Sequence, residues 1–151
     1  MNLAEVLADC SAAAVRAAHR ANNEAIIRVR GGSMLPLLPD GTLLRLRPVD
    51  DDTLRAGEIV AVEDGPRLIV HRVVAIDAST VYTHGDRTSA PDAPFPRGAV
   101  VGVATHFRGP FGIWLPAAHG ERIGSIARRL GRGMRKLAGL RKTIRTWRLT
   151  A

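Results

Sequence analysis

Apolar positions near the start of the chain recur as a helix would place them. Leu3, Val6, Leu7, Cys10, Ala14 and Ala18 are spaced mostly at three or four residues, the repeat of a helix with one buried face. Alanine, the best helix former, fills most of the gaps. The pattern predicts a helix from Leu3 to about Ala21, broken at Asn22–Asn23.

The pattern then shortens. Ala25–Arg30, Thr42–Arg47, Glu58–Val62, Leu68–Ile76, Val81–Thr83 and Val100–Phe107 are brief runs rich in Val, Ile and Leu. Such residues suit a pleated, half-buried surface. The runs are bounded by Pro36, Pro39-Asp40-Gly41, Asp64-Gly65-Pro66 and the proline-rich Pro91–Gly98 segment, and such residues punctuate strands. Thr42–Arg47 partly alternates, as a half-buried strand does, and Asp64-Gly65-Pro66 reads as a hairpin turn. Short strands at this spacing predict a mainly β domain, a small antiparallel sheet or barrel. No internal repeat is visible.

From Glu121 onward the helical period returns. Ile123, Ile126, Leu130, Met134, Leu137, Leu140, Ile144 and Trp147 form a stripe, with arginines and lysines on the other faces. This predicts an amphipathic basic helix, weakened at Gly124, Gly131, Gly133 and Gly139 by about 1 kcal/mol each relative to alanine. The chain therefore divides into an N-terminal helix (1–22), a β domain (23–120) and a basic tail (121–151).

Composition sharpens this division. The 151 residues suit one domain, and 46% hydrophobic content supports a real core, with aromatics at only 4%. The net charge of +8 is uneven. Residues 121–151 hold ten Lys/Arg and one acid, for +9, which leaves −1 for the first 120. Cys10 is the single cysteine, so no intramolecular disulfide and no multi-cysteine metal site can form; a small buried apolar role on the helix fits it better than a catalytic thiol. No run approaches the roughly 18 apolar residues that cross a bilayer. Glu5, Asp9, Arg16 and Arg20 interrupt the start, which does not read as a secretory signal. The expected location is cytoplasmic or peripheral to a membrane.

Three segments hold candidate chemistry. In Arg30-Gly-Gly-Ser-Met-Leu-Pro36 a serine stands behind two glycines and before a proline-rich turn. Its hydroxyl and amide can both be exposed there, the amide as a donor to an oxyanion. Leu68-Ile-Val-His-Arg-Val-Val-Ala75 sets a histidine in a stiff apolar strand. A serine nucleophile needs such a base within hydrogen-bond reach. Thr83-His-Gly-Asp-Arg-Thr-Ser-Ala-Pro-Asp92 carries two aspartates six apart, either of which can orient an imidazole. Taken singly, these are an ordinary turn, a core histidine and two solvated loop acids. His19, His84, His106 and His119 show no ligand spacing and read as surface or structural, with His84 adjoining the aspartate loop.

Order and spacing together carry a resemblance. Gly32-Ser33-Met34-Leu35-Pro36 is similar to the nucleophile box of signal peptidases. Gly57-Glu-Ile-Val-Ala-Val with His71-Arg72-Val73-Val74 resembles their general-base box, and Gly85-Asp86 to Asp92 resembles the box that closes the site. The likeness spans about Arg28 to Val103. Most bacterial signal peptidases, and the SOS repressors of the same S24/S26 superfamily, have lysine where this chain has His71; a histidine resembles the archaeal, endoplasmic-reticulum and sporulation-type enzymes.

The resemblance implies coiled antiparallel β-sheets and endopeptidase cleavage after a small residue of a precursor or leader peptide. It implies Ser33 as nucleophile, His71 as base, Asp92 as orienting acid with Asp86 in support, Gly32, Ser33, Met34 and Pro36 around the substrate and oxyanion, and no metal or other cofactor. Gly31, two before the serine, has no hydroxyl to add to an oxyanion hole, and the short His71–Asp86 spacing leaves little room for a cap domain. In place of that family's usual N-terminal membrane anchor, an alanine-rich helical segment is expected here. Residues 121–151 fit a helix on an anionic membrane, with Ile123, Ile126, Leu130, Leu137, Ile144 and Trp147 facing the lipid, and Phe111–Pro116 adding an apolar patch. Packing of that stripe on the domain is the alternative. Nucleic-acid binding is not favoured, because it needs no apolar stripe and no recognition motif accompanies the charge. A self-processing module, or an inactive one that binds peptides or membranes, is the rival reading of the whole chain.

Overall fold

A computed structural model describes residues 6–7, 11–50, 52–108 and 111–117. Among these residues nine strands form a single sheet: β1 (Val6–Leu7), β2 (Ala25–Arg28), β3 (Leu43–Arg47), β4 (Ile59–Asp64), β5 (Arg67–Ile76), β6 (Thr80–His84), β7 (Phe95–Pro96), β8 (Val100–Arg108) and β9 (Trp114–Pro116). One α-helix, α1 (Ala12–Arg20), is present among the described residues, beside a short 3-10 turn at Arg97–Ala99. The sheet order is β1-β2-β3-β8-β4-β5-β6-β7, with β9 also on β8. All pairings are antiparallel except β1 with β2. The mainly β class agrees with the short Val/Ile/Leu runs, each of which forms a strand.

The N-terminal helix is shorter than its apolar repeat predicts. Val6–Leu7 is a strand, parallel to Ala25–Ile26, and the helix begins only after Ser11, whose side chain accepts from Ala14 N–H at 3.2 Å. Ser11 is a true N-cap, satisfying one of the first-turn donors. Upstream of it the edge of β2 offers unpaired backbone groups, and pairing two residues with them outweighs extending a helix past its cap. Ala12, Val15 and Ala18 bury one helix face, and Asn22 ends the helix in the left-handed region, φ 57°. Cys10 lies outside the described residues, as does the whole of 121–151.

Ile59-Val-Ala-Val62 explains why some runs do not alternate. Ile59 and Ala61 join one apolar cluster with Val15, Ile27, Leu44 and Leu46. Val60 and Val62 join a second with Val73, Val81, Phe95 and Val103. Both faces of β4 are covered, so no polar side is needed. Each fully buried Val, Leu or Ile contributes roughly 1.5–3 kcal/mol. Register shifts between Arg45 and Leu46 in β3, Ala61 and Val62 in β4, and Val73 and Ala75 in β5 bend the sheet. β7 and β9 have no counterpart among the predicted strands; both contain proline at an edge, where a strand tolerates it.

Two strand edges stay open among the described residues. β5 pairs with β4 from Arg67 to Arg72, but β6 joins its other side only from Arg72 onward. β1 covers β2 only at Ala25 and Ile26. Ile27–Arg30 and Leu68–His71, together with Ser33, border a cleft of about 250 Å³.

Candidate active site

The turn after β2 presents the serine. Gly31 holds φ +84°, a conformation that costs other residues strain, and its N–H donates to Asp40 Oδ1 at 2.7 Å. That bond closes the loop Gly31–Asp40. Met34 and Leu38 drop into the core from the same loop, leaving Ser33 at the cleft. Ser33 N–H meets no acceptor among the described residues and is left able to donate.

His71 reaches the serine from β5. Its Nε2 lies 2.9 Å from Ser33 Oγ, and its Nδ1 lies 2.6 Å from Asp92 Oδ2. The residue is buried, 7% exposed. With the proton on Nδ1 shared with the carboxylate, Nε2 presents its lone pair to the hydroxyl. Asp92 is itself held. Thr83 Oγ1 donates to the same carboxylate oxygen at 2.6 Å, and Asp92 N–H donates to Thr83 O at 3.0 Å. These bonds fix the carboxylate against the imidazole.

The two aspartates do different things. Asp86 is fully buried and takes Arg72 Nε and Nη2 on its two oxygens at 2.9 and 2.7 Å. Arg72 Nη1 donates to Gly57 O at 2.8 Å. Neighbours on a strand point to opposite sides, so His71 turns to the serine while Arg72 turns to Asp86. The pair anchors the loop whose next residue, Arg87, donates its N–H to Ser33 O at 2.7 Å. A Cβ on Gly85 would stand 2.9 Å from His71 Nε2 and 3.1 Å from Ser33 Cβ. Only glycine lets this loop lie against the Ser–His contact.

Sequence pattern alone assigns no role to Thr83 or Arg72. The signal for Thr83 is its alternation with buried Val81 on β6, because a buried hydroxyl needs an acceptor. Gly32 lies beside Ser33, with the Arg87 guanidinium 3.5 Å from where its Cβ would be. Pro36, grouped by sequence with the substrate residues, lines a cavity with Leu37, Pro39 and Phe107. Of the other histidines, His19 Nε2 meets Leu46 O at 3.3 Å, and burial holds its pKa below the usual range. His84 and His106 sit in β6 and β8; His119 lies outside the described residues. No group of three or more His, Cys, Asp or Glu placed to hold a metal occurs among the described residues.

Such a constellation suits acyl transfer: a hydroxyl, a base in reach, an acid behind the base and an amide beside the hydroxyl. The Peptidase S24-like family model matches residues 6–104, more than half of the chain. The chain belongs to this family. The S24-like region runs from β1 into β8 and contains every residue of the Ser33–His71–Asp92 set. No curated protein matches the chain.

Proposed function

We propose that this S24-like domain is a serine endopeptidase of signal-peptidase type, working through Ser33, His71 and Asp92 on an extended peptide. The observation that carries this reading is the unbroken contact chain Ser33 Oγ–His71 Nε2 and His71 Nδ1–Asp92 Oδ2, at 2.9 and 2.6 Å. A peptide strand laid in the cleft would pair with the open edges of β2 and β5. His71 Nε2 takes the Ser33 proton as Oγ attacks the carbonyl carbon. The tetrahedral oxyanion accepts from Ser33 N–H. His71 then gives its proton to the leaving amine, and water resolves the acyl-enzyme by the same route in reverse.

The test is mass-spectrometric cleavage profiling on a diverse peptide pool, comparing wild type with Ser33→Ala. Cuts after small residues that vanish in the variant support the reading. A pool left intact by wild type argues for an inactive peptide-binding module, and a truncated mass of the purified wild-type chain alone argues for self-processing. In the same assay Asp92→Asn is expected to lower kcat/KM by up to about 10⁴-fold, because the asparagine amide favours the wrong imidazole tautomer. Gly85→Ala is expected to cost about a hundredfold, because the new methyl wedges Ser33 from His71 and misplacement of about 1 Å has that effect; circular dichroism checks that the β signal persists.

We further propose that the domain works at an anionic membrane surface. Phe111, Ile113 and Leu115 are 91, 63 and 45% exposed on and just before edge strand β9. Trp114, between the last two, faces the other way and lies under the Arg45 guanidinium, 4.5 Å from its ring centre. Further along the chain, residues 121–151 carry +9, and apolar side chains beside basic ones suit such a surface. Among the described residues no helix is long and apolar enough to cross a membrane. Phe111→Ser/Ile113→Ser is expected to weaken co-sedimentation with phosphatidylserine vesicles several-fold; unchanged sedimentation would remove the hairpin from the interface.

A further inference from the structure

The charge around the nucleophile has a sign that the proposed reaction does not explain. Arg30 lines the cleft next to Arg28 and Ser33. Arg87 lies by the same turn, its Nη1 3.5 Å from the Cβ position of Gly32. Arg28 is anchored on Gly41 O at 3.0 Å. Neither Arg30 nor Arg87 makes a side-chain hydrogen bond or ion pair among the described residues, whereas Arg16, Arg45, Arg47 and Arg72 each meet a carboxylate.

The acids close by are already engaged. Asp40 accepts from Gly31 N–H, Asp86 is taken by Arg72 and Asp92 by His71 and Thr83. Two guanidiniums therefore lie by the Ser33 turn and meet no carboxylate among the described residues. A guanidinium bonds a carboxylate through a planar fork, often with two bonds at once, and the low-dielectric walls of a cleft strengthen that attraction.

We infer that the cleft selects acidic peptides, with substrate carboxylates near the scissile bond held by Arg30 and Arg87. This rests on the peptidase reading and narrows its substrate class. The remaining walls, Ile27, Val29, Leu68 and Val70, suit small apolar residues between the charged ones.

The test uses matched peptides with Glu, Gln or Lys at each position flanking a small residue, in lipid-free buffer. Binding to Ser33→Ala is read by fluorescence anisotropy, and kcat/KM is read with wild type. Acidic peptides are expected to bind and react at least about tenfold better than their Gln counterparts, with the advantage shrinking as salt rises. Arg30→Gln and Arg87→Gln should each remove about tenfold of it, chiefly through KM, and Arg30→Glu should shift preference toward Lys. Arg20→Gln, which borders a different cavity, should leave the preference unchanged. Acid-selective binding without cleavage by wild type would sustain the inference and sink the peptidase reading. Cleavage indifferent to peptide charge would do the reverse. Loss of vesicle binding in Arg30→Gln or Arg87→Gln, with no change in peptide preference, would reassign the two arginines to lipid headgroups and overturn the inference.

Discussion

Ser33→Ala is expected to lower peptide cleavage by about 10⁴- to 10⁶-fold, and His71→Ala by a similar factor. The reason is that the two side chains act as one unit. Without His71 the Ser33 hydroxyl keeps its proton and is a weak nucleophile; without Ser33 Oγ the imidazole has nothing to activate. The 2.9 Å contact between them predicts strong non-additivity. Ser33→Ala/His71→Ala should be hardly slower than either single variant, the residue of activity coming from binding and the oxyanion donor. In Ser33→Ala stability should scarcely move, since Ser33 packs at the cleft and not in the core. Urea midpoints within a few tenths of a molar of wild type, beside that loss of rate, are the expected pairing. Effects of the two substitutions that multiply would show that His71 and Ser33 act independently, against the dyad.

The second large effect concerns folding and not turnover. Arg72 and Asp86 are both fully buried, at 0% exposure, and bonded through two parallel contacts. Arg72→Met leaves the Asp86 carboxylate in the interior without its partner, and Asp86→Asn strands the guanidinium. Each is expected to cost about 3–5 kcal/mol. That is a large share of the roughly 5–15 kcal/mol that holds a domain together. Replacing both, as in Arg72→Met/Asp86→Leu, removes the desolvation penalty along with the attraction and should recover much of the loss. Urea melts of the two single variants and the double variant measure this directly. Asp92 provides the contrast: Asp92→Asn should keep the melt and lose the rate, whereas Asp86→Asn should lose the melt. Equal melting losses at both positions would undo the division of labour between the two aspartates.

The strands are legible in the sequence because burial writes them into side-chain pattern. Ala25–Arg28, Leu43–Arg47 and Arg67–Ile76 fall within a residue or two of the apolar runs that predict them. β1, β7 and β9 are not legible, because two- or three-residue strands carry no period and exist only where a neighbour offers an unpaired edge. The helix starts later than its repeat predicts for a related reason. Leu3 to Cys10 satisfies a helical spacing, but Ser11 caps the segment after it and β2 captures Val6 and Leu7 before it.

Ser33, His71, Asp86 and Asp92 are visible as residue types in an ordered set of motifs, and the apolar strand around His71 already implies a rigid imidazole. Sequence order does not measure distance, however. Ser33 and His71 lie 38 positions apart, and His71 and Asp92 lie 21 apart. Their meeting depends on how β5 and β6 pair and bend, and on a loop that only Gly85 lets approach. The same packing separates the aspartates, because adjacent strand residues face opposite ways: His71 finds Asp92 and Arg72 finds Asp86. Residue chemistry and burial pattern are local properties, open to reading along the chain. Which carboxylate meets which cation, and which arginines are left facing the cleft, are settled by long-range contacts that no local pattern encodes.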